Sequence, residues 1–354
     1  MPTIVPIARP HIGDAEVEAA VRVLRSGHLA QGSEVATFEE EFAALVDGRH
    51  CVAVSSGTAA LHLSLLALGI GRGDEVIVPS FTFGATVHAV ALTGAVPVFA
   101  DIDPDTFCLH PPSVAAAITE RTAALLPVHL FGHPAAMDQL TVLAQRHGLA
   151  VIEDAAQAVG ARLHRQPVGT FGQAACFSFY PTKNMHSIEG GMIVTADPGT
   201  ADRLRLLRNQ GMQQRYRYEI VGLNARMTDV AAAVGRVQLP CVLQWVAARV
   251  ANAAYLDAHL RGVQIPAVAV GAEHAYHQYT VRVIGDRDAL TRRAARHGVT
   301  TAVFYPTPVH RTPAYQQALD LPHTELATTQ VLSLPVHPAL TPADLARIVA
   351  AVNP

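Results

Sequence analysis

The chain predicts an α/β fold: a large domain around a mostly parallel sheet sandwiched by helices, followed by a smaller α+β domain. Two observations carry this. From about residue 50 to 195, short apolar runs alternate with stretches of helical periodicity, the pattern of strand–helix–strand units. After Leu239-Pro240 the pattern gives way to a long helix and then mixed strands and helices.

Seven runs are predicted as sheet strands: 51–54, 75–78, 96–100, 123–128, 150–153, 175–179 and 192–195. Between them, 58–68 places Leu61, Leu65 and Leu68 on one helical face, and 135–147 does the same with Leu140, Leu143 and Ala144. An N-terminal arm, residues 1–30, carries Gly13-Asp14 before a helix with Val17, Val21 and Leu24 in step. It is expected to pack across a neighbouring surface. Residues 31–240 form the expected large domain and 241–354 the small one. The small domain is predicted to contain a helix over about 241–260, a strand 279–284, a helix 287–297 and a strand 300–304. Its last helix opens with Thr341, Pro342 and Asp344: a cap, a first-turn proline and an acidic third position.

A chain of 354 residues is too long for one compact core. With a net charge of −3 and no run of like charges, neither a nucleic-acid groove nor an anionic membrane surface is the expected partner. A small molecule is. The 18 histidines are scattered, with no HExxH and no Cys/His pairs at zinc spacing, so no metal site is expected. Cys51, Cys108, Cys176 and Cys241 lie far apart in or beside apolar segments, as reduced core thiols do. No signal-like segment follows the start, and no apolar run approaches the roughly 20 residues of a spanning helix. A cytoplasmic protein is expected.

The chemistry begins at "CFSFYPTKNMHSIEGGMIVT", where Lys183 stands on a short loop between two apolar runs. A lysine there is costly to desolvate unless something uses it. "CVAVSSGTAALHLSLLALG" reads as strand, turn and helix. Gly57 permits close backbone approach, and the amides of Thr58 and Ala59 at a helix N-terminus suit a phosphate, although such turns are also ordinary caps. "LAVIEDAAQAVGA" ends an apolar strand on Glu153-Asp154, at the strand end where parallel sheets bind ligands; a helix-capping aspartate is the plainer alternative. "PSFTFGAT" presents Phe81 and Phe83 at the same edge, for ring stacking or for the core. Together a phosphate cradle, an aromatic, a carboxylate and a lysine meet the needs of pyridoxal 5′-phosphate, which joins a lysine as an imine.

This combination resembles the DegT/DnrJ/EryC1/StrS family of sugar aminotransferases, within the fold-type I pyridoxal-phosphate enzymes. The resemblance extends through "FEEEFAALV", "SSGTAALHLSLLALGIGRGDEVIVPSFTF", "GAVPVFADIDPDTF", "LLPVHLFGHPAAMD", "VIEDAAQAVGA", "VGTFGQAACFSFYPTKNM", "EGGMIV", "LNARMTDVAAAVGRVQL" and "HQYTVRV". It implies Lys183 as the Schiff-base lysine and Asp154 as partner of the ring nitrogen. Gln157 falls beside the cofactor oxygen, Phe83 on the ring, and Gly57, Thr58, Ala59 and Ser178 around the phosphate. Asn224 would reach the phosphate of the neighbouring subunit, making a homodimer with shared active sites. With Asp154 keeping the ring nitrogen protonated, the ring accepts electrons, and Lys183 is free to carry the proton of the 1,3-shift. Glu189, Gly190 and Gly191 shape the lysine loop.

The implied reaction moves an amino group from glutamate or glutamine to a keto group of a nucleotide-linked deoxysugar, the cofactor cycling through its pyridoxamine form. A keto-cyclitol is the alternative acceptor. A pyridoxal-phosphate sugar dehydratase is a further alternative, but such relatives carry histidine at the position of Lys183. A cofactor-binding regulator is another, and no DNA-binding motif or basic stripe supports it. The chain departs from the family pattern at His186, Ser187 and Ile188, where threonines or a serine-glycine pair are common, and at Phe304, where many relatives have histidine. His129, His186, Tyr305 and His310 are substrate-site candidates. Arg226 is expected either to bind an acidic group of donor or acceptor, or to pair with Asp229.

Overall fold

The computed structural model describes residues 4–354. Every predicted sheet run is a strand, within a residue or so at most ends: β1 His50–Val54, β2 Glu75–Pro79, β3 Val96–Ala100, β4 Thr122–Leu125, β5 Ala150–Asp154, β6 Ala174–Ser178 and β7 Gly191–Thr195. They form one sheet in the order β1-β7-β6-β5-β4-β2-β3. Six run parallel, and β7 alone is antiparallel to its neighbours β1 and β6. All residues of β2, β6 and β7 are buried, as strands covered by helices on both faces must be.

Alternation along the strands sorts the core into two layers. Val52, Val54, Val76 and Ile193 pack with Leu61 and Leu65 of the helix Gly57–Ala67 on one face. On the other, Ala53, Phe177 and Met192 meet Phe38 and Phe42, while Ile77 and Val151 meet Leu140 and Ala144. The same alternation splits Glu153 from Asp154 at the end of β5. Glu153, fully buried, accepts the backbone N–H groups of Gly169, Phe171 and Gly172, each at 2.8 Å, and faces His129 Nε2 at 3.1 Å. It staples the 155–173 crossover to the sheet. Glu153→Ala would leave those buried donors unpaired and should destabilise the fold by about 3 kcal/mol or more. A urea midpoint unchanged from the native protein would refute that role.

A further cluster gathers Val5, Leu256, Tyr279, Val281, Leu332, Leu334 and Ile348. Here β8 Tyr279–Arg282 pairs antiparallel with β9 Val331–Leu334, a strand the periodicity had not disclosed. The predicted strand 300–304 does not form. Thr300 N–H donates to Val5 O, Ala302 exchanges two hydrogen bonds with Ser333, and the chain then turns away, carrying Phe304 and Tyr305 to the site described below. The last helix, Pro342–Val352, is capped as expected: Thr341 Oγ1 accepts Asp344 N–H, and Asp344 accepts from Thr341.

Two expectations need correction. In the helix Asp14–Ser26 the buried face is Glu16, Ala19 and Val23, against Ala233; Val17 and Leu24 are exposed and Val21 half-buried. Glu16 sets this rotation, because its carboxylate caps Gly13 N–H at 2.9 Å and takes Gln238 Nε2 at 3.4 Å. Second, Asp229–His259 is long and apolar enough by composition to cross a membrane. It comprises two helices, Asp229–Gln238 and Val242–His259, joined by a turn at Leu239–Cys241, and polar side chains spaced along it hide its mean hydropathy from inspection. Its inward face packs against Phe38, Phe42 and Tyr279, and the buried Arg249 donates to Tyr276 O at 3.1 Å.

Candidate active site

The carboxyl ends of β1, β2, β5 and β6 converge on a cavity of about 670 Å³. In a parallel sheet this is where backbone ends and helix N-termini leave room for a ligand. Lys183 enters it from the loop after β6, whose turn is closed by Lys183 N–H donating to Tyr180 O at 2.9 Å. Burial pulls its ammonium down to about 8, against the attraction of the Asp154 carboxylate. It is the only lysine in the chain; the other 25 of the 26 basic Lys and Arg residues are arginines.

Asp154 lines the same cavity. Thr86 Oγ1 donates to its Oδ2 at 2.8 Å and Ala156 N–H to its Oδ1 at 3.1 Å, while Thr82 Oγ1 lies 2.9 Å from Thr86 Oγ1. Burial pushes this carboxyl above its ordinary value, with the two hydrogen bonds and Lys183 opposing. Such a site favours a fixed cation beside it.

Ser56, Gly57, Thr58 and Ser178 also line the cavity. Here only glycine serves at 57, since a Cβ would sit 2.8 Å from Ser178 Cβ and push the helix off β6. Ala59 lies one step beyond the cavity wall, its N–H held by Ser56 Oγ at 3.1 Å as the helix cap. Phe83 shows its ring to the cavity, 6.1 Å from the ring of Tyr305, whereas Phe81 is core. Gln157 bridges: Oε1 accepts Phe131 N–H at 2.8 Å, and Nε2 donates to Tyr305 Oη at 2.9 Å. Burial raises the Tyr305 phenol.

Thus Gly57, Thr58, Phe83, Asp154, Gln157, Ser178, Lys183 and Tyr305 share one cavity. The remaining candidates do not line it. His129 is fully buried between Glu153 and Ala135 N–H. His310 Nδ1 faces Ser80 Oγ at 2.7 Å, and its Nε2 lies 3.6 Å from Glu325. His186 Nε2 lies 3.0 Å from His11 O in the N-terminal arm. Asn224 is exposed, its Oδ1 accepting from Arg226 Nε at 3.1 Å. Arg226 also donates to Asn209 Oδ1 and does not pair with Asp229, whose carboxylate instead accepts Gly32 and Val35 N–H.

Thr86, Ile7 and Ala8 are also in the wall, and none of them is among the site residues that the motifs point to. Thr86 was legible: it follows Phe83 by three residues at a helix start, so both face the same end of the sheet. Ile7 and Ala8 were not, because only tertiary structure brings the arm here.

The residues present fit pyridoxal phosphate: a glycine-floored helix N-terminus for phosphate, a buried carboxylate and a half-buried amine line one cavity. Comparison with known proteins agrees. The model of the DegT/DnrJ/EryC1/StrS aminotransferase family matches residues 10–353. The erythromycin biosynthesis sensory transduction protein EryC1 of Saccharopolyspora erythraea is 48% identical over 92% of this chain and 90% of its own length. The dTDP-3-amino-3,4,6-trideoxy-alpha-D-glucose transaminase of Streptomyces venezuelae is 47% identical over 96% and 92%. The crystal structure of S. venezuelae DesV in complex with a ketimine intermediate superposes with a TM-score of 0.92 at 46% identity, over 95% of this chain and 93% of that one. The chain therefore belongs to the DegT/DnrJ/EryC1/StrS family, and it is a pyridoxal-phosphate-dependent aminotransferase.

Proposed function

We propose that the protein transfers an amino group from glutamate or glutamine to the keto group of a nucleotide-linked deoxysugar. The carrying observation is that Lys183 and Asp154 share a cavity whose lining is mostly apolar and whose volume exceeds what an amino acid and the cofactor fill. The S. venezuelae transaminase, a dTDP-linked trideoxysugar enzyme by name, supports the acceptor class.

Bound pyridoxal phosphate supplies an electron-accepting ring and a carbonyl that carries the amino group. In this reading Gly57, Thr58 and Ser178 would hold its phosphate, Phe83 would face its ring, and Gln157 orients Tyr305; the Ala59 N–H is already taken by Ser56 Oγ. Asp154, fixed by Thr86 and Ala156, keeps a negative charge at the ring-nitrogen end. Lys183 Nζ takes the proton from the donor's Cα. Its lowered proton affinity is what lets a neutral amine act near neutral pH. Asn224 completes the phosphate site of a second copy, in keeping with its exposure in one chain and with the uncovered Val17 and Leu24 of the first helix.

The test supplies the pyridoxamine form with keto-sugar nucleotides and keto-cyclitols and follows return of the cofactor's absorbance. Turnover of a keto-sugar nucleotide supports the proposal; turnover of cyclitols alone overturns it. For the shared site, Lys183→Ala and Asn224→Trp proteins, each inactive, should regain activity when refolded together. A fully active monomer by light scattering would refute sharing.

Lys183 also makes a pH prediction. Only the neutral amine attacks a carbonyl, and with a value of about 8 roughly one-tenth is neutral at pH 7. Labelling of the cofactor-free protein by pyridoxal phosphate and borohydride should quicken with pH through about 8 and level off by about 9. A rate still climbing about tenfold per unit beyond pH 9 would show an unperturbed lysine.

A further inference from the structure

The N-terminal segment crosses the cavity and is tied down on both sides of it. At one end Val5 is buried and pairs with the 298–300 strip: its N–H donates to Gly298 O at 2.8 Å, and its carbonyl accepts Thr300 N–H at 2.9 Å. Next to it, Pro6 O accepts from His337 Nε2 at 3.2 Å. At the other end His11 O accepts from Gln238 Nε2 at 2.7 Å and from His186 Nε2 at 3.0 Å. The His186 tautomer follows from its other nitrogen. Nδ1 accepts Ile188 N–H at 3.3 Å, so Nε2 carries the hydrogen and donates. Both imidazoles are 3% exposed, and burial lowers both, which keeps them neutral. Between these two latches, Ile7 and Ala8 line the same cavity as Lys183.

We propose that residues 5–12 form a strap that is the acceptor-selecting wall of the cavity, with His186 and His337 as positioning residues acting through it. The proposal rests on the two-substrate reading above. The amino donor is small and must meet Lys183, so the larger acceptor is the substrate that extends to the remaining walls. Ile7 and Ala8, like Phe304, offer no hydrogen-bonding side chain, so a sugar hydroxyl turned toward them loses its water without a replacement partner. The strap therefore selects an acceptor that presents a deoxygenated edge. This also explains the departure from the family pattern at His186: it reaches substrate only through the strap, as His337 does from the opposite side.

The experiment uses the holoenzyme with the double substitution His186→Ala and His337→Ala, and separately with Ile7→Trp. Amide exchange over residues 5–12 should accelerate at least about tenfold in the double variant, since each lost donor loosens one latch. The acceptor KM should rise about tenfold, while kcat and the half-reaction with glutamate hold. His186→Gln with His337→Gln, which keeps an N–H at each position, should recover much of the acceptor affinity. Ile7→Trp should discriminate further against acceptors bearing more hydroxyls. Unchanged exchange in the strap overturns the latch. A glutamate half-reaction that falls in step with the acceptor reaction overturns the selecting wall and leaves a merely structural role. Native enzyme that accepts no keto-sugar nucleotide overturns the substrate reading instead, and is recognised by a normal glutamate half-reaction with normal strap exchange.

Discussion

Lys183→Ala will yield a protein that still retains cofactor through the phosphate end of its cavity yet transaminates at least about four orders of magnitude more slowly. In the proposed mechanism two functions vanish at once. The amine that exchanges with the incoming amino group is gone, and so is the base at the donor's Cα. Retention follows from geometry, because Gly57 and Thr58 open the helix Gly57–Ala67 and Ser178 ends β6, elements held by core packing that does not involve the lysine. Desalting followed by absorbance measures retention, and the half-reaction with glutamate or glutamine measures the loss. Partial rescue by a small added amine would show that the missing chemistry is the amine itself. Near-native turnover would remove Lys183 from the mechanism, and loss of cofactor with loss of rate would mean that the lysine only anchors.

The second large effect belongs to Asp154→Asn, expected to slow the half-reaction with glutamate or glutamine by about 10²–10³-fold, the cost of leaving a buried cation without its charged partner. The fold should survive. Asparagine matches the aspartate in shape, and the Thr86 hydroxyl, which already faces both Thr82 and Asp154, can turn to accept from the new amide. The Ala156 N–H keeps its oxygen acceptor. An unchanged half-reaction would reduce Asp154 to a cap at the end of its strand.

The central sheet was legible because its strands are buried on both faces, which writes continuous apolar runs that need no partner to interpret. The meeting of Gly57, Asp154 and Lys183 in one cavity was legible for a related reason. Gly57, Asp154 and Lys183 each lie within a few residues of a strand end, and a parallel sheet brings all such ends to one edge. What the sequence hid depends on distant partners. Glu16 turns the first helix because Gly13 and Gln238 claim its carboxylate, against the apolar stripe of Val17 and Leu24. The run 300–304 has the composition of a strand, but its backbone is divided between Val5 and Ser333. His186 reads as a site residue from its neighbourhood to Lys183, yet its ring points to the carbonyl of a residue 175 positions away.

A chain with one lysine and 25 arginines confines its lysine chemistry to a single address. A lysine-specific protease has one peptide bond to cut after denaturation, between Lys183 and Asn184, and a cofactor fixed there by reduction removes it. The unfolded protein would then run as one band or two, and their ratio would report how many active sites carried cofactor at the moment of reduction.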